Sequence, residues 1–142
     1  MILRWICFLL LDALLITACS SGRIPPTMTP APSISPGEVR VSTNDNGRWI
    51  DLNEGQVLVV TLEANPSAGY TWEAVEANEK ILRQTGEIEF EPGSGLLGAP
   101  GNQILRFEAV GGGQTTLKLI YHRPWEKGVE PAGTFSIQVV VH

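Results

Sequence analysis

Few side chains in this chain could act as catalysts, and those few do not converge. A hydrolase of the triad type needs a nucleophile with a base in hydrogen-bond reach. There are two histidines: His142 is the last residue, and His122 alternates outward on a strand-like run just before Arg123-Pro124. Ser94 stands in Pro92-Gly93-Ser94-Gly95, which lacks the G-x-S-x-G pattern and its strand-to-helix setting. Glu87, Glu89 and Glu91 alternate along one run. Paired carboxylates can hydrolyse glycosides, but three on one exposed face read more simply as the residues that keep it wet. Gly111-Gly112-Gly113 could offer backbone N–H groups to an anion, yet between two alternating runs it reads as a hairpin turn needing positive φ. No His, Asp, Glu or Cys set has metal-ligand spacing. The two cysteines, Cys7 and Cys19, both lie in the first 19 residues, so the rest has neither thiol nor disulfide. The expectation is a protein with no catalytic residue, no metal and no cofactor.

Binding is better represented than catalysis. Asn65-Pro66-Ser67-Ala68-Gly69-Tyr70-Thr71-Trp72 reads as a stiff, small-tipped turn. Pro66 presets φ, Gly69 permits a conformation other residues resist, and Asn65 can bond its own backbone two residues on. The segment Pro92–Gly101 sets Leu96 and Leu97 among Gly93, Gly95, Gly98 and Gly101. Two adjacent leucines in a glycine-rich loop are costly in water, so they imply a contact with the domain or with a partner. Arg123-Pro124-Trp125 puts an aromatic beside a guanidinium on a stiffened backbone, which suits an interface anchor. Pattern alone leaves open whether Trp125 does this or folds onto its own hairpin. Tyr70 is ambiguous, and Trp72 reads as core.

The elements that must hold these loops read as strands. From Val39 onward the apolar period is two. Leu58, Val60 and Leu62 share a face, as do Leu105, Phe107 and Ala109, then Leu117, Leu119 and Tyr121, then Phe135, Ile137, Val139 and Val141. Runs at 39–43, 49–52, 56–64, 71–77, 81–90, 102–110, 114–122 and 134–141 are divided by Gly, Pro and Asn turns, among them Asn44-Asp45-Asn46-Gly47. Residues 75–82 have fair helix propensity over only two turns' worth of chain, and a strand junction is the better reading. The expected fold is all-β: an immunoglobulin-like antiparallel sandwich of seven to eight strands, in which alternate connections gather at one end. The three loops are alternate connections and should form one composite surface.

Length and charge bound the rest. The 142 residues suffice for one domain, and a formal charge of −5 opposes nucleic-acid binding, which needs a basic face. Residues 1–18 read as a secretory signal, with Arg4 ahead of an apolar stretch. Leu15-Ile16-Thr17-Ala18-Cys19 resembles the lipobox of bacterial lipoproteins, which implies a lipid on Cys19. Residues 19–37, with Pro25, Pro26, Pro30, Pro32 and Pro36, read as a spacer that joins no helix or sheet. The domain would then be residues 38–142, held outside the cytoplasm at a cell or outer membrane.

Taken in order, the three loops resemble those of the chagasin family of cysteine protease inhibitors. That family carries an Asn-Pro-Thr-Thr-Gly-aromatic loop followed by Trp, a Gly-rich loop and an Arg-Pro-Trp loop. Here Asn65-Pro66-Ser67-Ala68-Gly69-Tyr70 with Trp72 matches the first, Leu96-Leu97-Gly98-Ala99-Pro100-Gly101 the second, and Tyr121-His122-Arg123-Pro124-Trp125 the third. Ser67-Ala68 replaces the paired threonines, and Pro100 stands where the family usually has Gly. The resemblance implies a monomer that inhibits papain-like cysteine proteases reversibly and competitively. Pro66, Ser67 and Ala68 would enter the catalytic centre, the second loop would lie on the unprimed side of the cleft, and Trp125 would pack on the primed side. The rival reading is a cell-surface adhesion or ligand-binding sandwich.

Overall fold

The computed structural model describes residues 37–142. The expected signal segment at 1–18, the lipidated Cys19 and the proline-rich spacer up to Pro36 lie outside the described residues. Eight strands follow in order: β1 (Glu38–Ser42), β2 (Trp49–Leu52), β3 (Val57–Ala64), β4 (Thr71–Glu76), β5 (Leu82–Pro92), β6 (Gly101–Ala109), β7 (Gly113–His122) and β8 (Gly133–Val141). They form two four-stranded sheets, β1-β3-β6-β5 and β2-β8-β7-β4. Period-two alternation builds the core directly. Leu58, Leu105, Phe107, Leu117, Leu119, Phe135 and Ile137 point inward from both sheets and are almost wholly buried.

Residues 75–82 are not helical. β4 ends at Glu76, and the Asn78 carbonyl accepts hydrogen bonds from Ile81 and Leu82 as β5 begins. These are local turn bonds, and two turns of chain are too few to repay the cost of nucleating a helix.

The sandwich is not antiparallel throughout. β1 pairs parallel with β3, and β2 pairs parallel with β8. The reason lies in the turn at residues 43–47: it carries the chain across the sandwich, from one sheet to the other. Each short strand then settles beside a neighbour that runs its own way. Asp45 closes this turn by accepting the Ser42 N–H at 2.9 Å, and Asn46 Oδ1 accepts the Ser136 N–H of β8 at 2.8 Å. Gly111–Gly113 likewise makes a sheet-to-sheet crossing, not a hairpin, because β6 and β7 lie in opposite sheets. Gly113 does take φ 141°, and the Gly112 N–H is spent on the Glu54 carboxylate at 2.8 Å.

This topology places the three loops. Loop 1 (65–70) crosses from β3 in one sheet to β4 in the other. Loop 2 (93–100) is the tip of the β5–β6 hairpin, and loop 3 (123–132) is the tip of the β7–β8 hairpin. Loop 1 is therefore flanked by one hairpin from each sheet.

Candidate functional site

Loop 1 is a single 3-10 turn over Pro66–Ala68, with Pro66 at its first position and Gly69 closing it at φ 83°. The Ala68 N–H donates to the Asn65 carbonyl at 3.1 Å, and the Gly69 N–H to the Pro66 carbonyl at 2.8 Å. Proline suits the first position because the N–H it lacks has no partner there, and glycine suits the left-handed one because it has no Cβ. At the base of the loop the Asn65 N–H donates to Tyr121 Oη at 2.7 Å.

Loop 3 holds loop 1 from one side. Arg123 Nε donates to the Ala68 carbonyl at 3.1 Å, its Nη1 pairs with Glu126 Oε1 at 3.1 Å, and its guanidinium lies 4.5 Å over the Tyr70 ring. Tyr70 stacks on Tyr121, which stacks on Trp72, with ring centroids 5.1 and 5.0 Å apart. The Trp125 ring edge sits against Gly69, so close that a Cβ there would lie 2.8 Å from Cζ2 and nearer still to Cη2. Trp125 thus reaches from its own hairpin to loop 1. It braces loop 1 and remains 66 % exposed.

Loop 2 holds the other side. Ser67 Oγ lies 3.1 Å from the Gly98 carbonyl and 2.6 Å from Asn65 Oδ1, and its one proton serves one of them at a time. The Gly93 N–H donates to the Pro100 carbonyl at 3.0 Å and closes the hairpin neck. Pro100 costs the loop no bond, since its carbonyl is the group used. Leu96 is 77 % exposed and Leu97 fully so, which means the domain itself does not cover them. Between loops 1 and 2 runs a groove of about 320 Å³ floored by Pro66, Phe90 and Pro92. Ala99 lines the same groove, and Gly101 opens β6 with Phe90 packed over it. Pro124 links Arg123 to Trp125 at the start of loop 3.

Of the fifteen candidate protease-binding residues, fourteen thus lie in three interlocked loops at one edge of the sandwich, and Gly101 stands beside them as the first residue of β6. One residue escaped notice. Gln103 is 3 % exposed, and its side-chain amide bonds both backbone groups of Trp72: Oε1 accepts from N at 3.0 Å and Nε2 donates to O at 3.0 Å. The signal was available, because Gln103 is in phase with Leu105, Phe107 and Ala109, and a polar side chain at a core position needs a partner. The groups considered for catalysis stay apart. His122 pairs with Glu73 at 2.7 Å, His142 with Asp51 at 3.1 Å and Glu89 with Arg106 at 2.7 Å.

A β-sandwich that presents a rigid, partly apolar edge of three mutually braced loops is a protein-binding module of the immunoglobulin-like class. The family model for chagasin family peptidase inhibitors (I42) matches residues 51–139. The chain belongs to that family, which is one of inhibitors and not of enzymes. Among curated relatives it is 32 % identical to amoebiasin-2 of Entamoeba histolytica over 93 residues, 65 % of this chain and 76 % of that one. It is 28 % identical to chagasin of Trypanosoma cruzi over 103 residues, 69 % and 93 % of the two chains. Among solved structures, the cysteine protease inhibitor EhICP2 of Entamoeba histolytica superposes with a TM-score of 0.66 at 28 % identity, covering 74 % of this chain and 96 % of that one. PbICP-C, solved in complex with falcipain-2, shares the fold with a TM-score of 0.52 at 18 % identity, covering 74 % and 98 %.

Proposed function

We propose that this edge plugs the active-site cleft of a papain-like cysteine protease, reversibly and in competition with substrate. Pro66, Ser67 and Ala68 form the wedge at the catalytic cysteine, Leu96 and Leu97 lie along the unprimed side, and Trp125 packs on the primed side. The observation that carries this reading is the closed 3-10 turn at the tip. A protease cleaves chain that it can extend across its cleft. Here the carbonyls of Asn65, Pro66 and Ala68 are each engaged internally, and the backbone is folded back on itself. The wedge can therefore be held at the nucleophile without presenting an extended peptide bond. Membership of the chagasin family and likeness to a solved cysteine protease inhibitor support the choice of target class.

Preorganisation gives such a plug its affinity. Each loop is already tied to another, so little conformational entropy is lost on binding. The same ties make a covalent bond unnecessary. The protein acts as a monomer, exported and held at a membrane through lipid on Cys19. The lipobox-like run ahead of Cys19 and the proline-rich spacer support that part of the reading. The test is to titrate papain and a cathepsin L-type enzyme with the domain from Pro36 to His142, following a fluorogenic peptide. Stoichiometric, competitive loss of activity is expected, and none at micromolar concentration from a folded domain would refute the target class. For the tether, Cys19→Ala should abolish incorporation of labelled palmitate; labelling that persists would refute it.

A further inference from the structure

We infer that Gln103 is a positioning residue for inhibition, whose side-chain amide clamps the strand leaving loop 1 to the strand leaving loop 2 and so holds the wedge at its working angle. The inference rests on reading the three loops as a protease plug. Gln103 stands two residues past Gly101, where loop 2 hands over to β6, and Trp72 stands two residues past Tyr70, where loop 1 hands over to β4. β6 and β4 belong to different sheets, and β4 is the outer strand of its own. No backbone ladder joins them. The amide takes the place of a ladder partner: it accepts the Trp72 N–H and donates to the Trp72 carbonyl, each at 3.0 Å. Thr71 Oγ1 lies 3.1 Å from Nε2 and 3.3 Å from Oε1 and can serve either, so it is the Trp72 N–H and carbonyl that fix which way the amide faces.

Both ends of loop 1 are then tied across the sandwich. On the entry side, the Glu63 carbonyl of β3 accepts the Trp72 indole N–H at 2.9 Å, and Tyr121 Oη accepts the Asn65 N–H. On the exit side, Gln103 accepts the Trp72 N–H and donates to the Trp72 carbonyl, which also takes a longer bond, at 3.5 Å, from Thr71 Oγ1. Removing it leaves the Trp72 N–H without a partner at a buried edge and the carbonyl with only the long Thr71 contact, and the loop can pivot about the entry ties.

Glutamate at this position supplies a switchable version of the same shape. Ionised, it accepts from the Trp72 N–H but repels the carbonyl; protonated, it can donate to that carbonyl and restore the clamp. The groups facing residue 103 are Thr71 and the Trp72 backbone from β4, with Leu62 of β3 and Phe90 of β5 as cross-strand neighbours, none of them ionisable in the working range. Burial raises the carboxyl pKa, so the protonated form gains ground as pH falls.

The test uses the domain from Pro36 to His142, whose core residues all lie between Val41 and Val141. Gln103→Met keeps the length and removes both bonds; Gln103→Glu adds the pH arm. Amide exchange in the free proteins, followed by NMR, should rise about tenfold at Trp72, Ala68 and Gly69 in Gln103→Met, with Leu117 and Ile137 unchanged. The papain inhibition constant should rise by about the same factor, through faster dissociation. Gln103→Glu should match Gln103→Met near pH 8, and its inhibition constant relative to the parent should recover by a factor of about five or more near pH 4.5. Lower thermal stability with parental exchange and inhibition would make Gln103 a structural residue only, and a folded Gln103→Glu whose ratio to the parent is flat with pH would equally overturn the clamp. If the parent inhibits no papain-like enzyme, the plug reading fails, and the exchange measurements still decide the clamp.

Discussion

Gly69→Ala adds one carbon at the point where loop 1 and loop 3 touch. The backbone there has φ 83°, where an L residue costs about 1–2 kcal/mol. The new methyl would also overlap the Trp125 ring, 2.8 Å from Cζ2, so the indole must leave its seat. If Trp125 is an interface anchor, its loss by Trp125→Ala costs about 2 kcal/mol of affinity, roughly 30-fold. Displacing it should cost nearly as much. The two changes act on one contact, so the double variant should lose about 2–2.5 kcal/mol and not the sum of about 4, a coupling of about 1.5–2 kcal/mol. Inhibition constants for the parent, both single variants and the double variant measure this directly. Thermal unfolding separates out the backbone part, which should lower the midpoint by about 4 °C or more in Gly69→Ala and persist in the double variant. Additive losses in affinity would refute the idea that Trp125 is held for binding by its seat on Gly69.

Leu96→Ser with Leu97→Ser should leave stability within about 0.5 kcal/mol, because the domain covers neither side chain, while weakening inhibition by about tenfold or more; a parental inhibition constant would remove loop 2 from the contact. Arg123→Lys keeps the charge but loses the fork that spans Ala68 and Glu126, and should weaken inhibition about five- to tenfold in titrations against papain. Asp45 is held below its ordinary 3.8, first by the Ser42 N–H and then by Arg48, so the stability it adds is present above 3.8 and is lost as pH falls through the lowered value. Unfolding midpoints of the parent and Asp45→Asn should therefore differ near pH 6 and draw together as pH falls below 3.8; a constant gap would place the effect elsewhere.

The strands and the three loops were legible because both signals are local. Period-two alternation marks a half-buried strand, and Pro66, Gly69, Leu96, Leu97 and Trp125 are unusual where they stand. Partner choice was not legible. The parallel pairing of β1 and β2 depends on a turn that crosses the sandwich, and a crossing turn uses the same Asn, Asp and Gly as a hairpin. The same ambiguity hid the nature of Gly111–Gly113. Gln103 was passed over because its meaning comes from Trp72, more than thirty residues earlier in the chain. Trp125 needed Gly69 before its two possibilities could be told apart.

Loops 2 and 3 are tips of hairpins that belong to opposite sheets, with loop 1 strung between them. The binding edge therefore works like a pair of calipers whose jaws are set by the thickness of the sandwich. Side chains deep in the core, such as Phe107 from one sheet and Phe135 from the other, set the gauge although they touch no partner. On the proposed function, shaving or thickening that layer would change which cleft widths the jaws can enter. If the edge is a protease plug, selectivity among proteases would then be partly written in the hydrophobic core, where stability and target choice depend on the same residues.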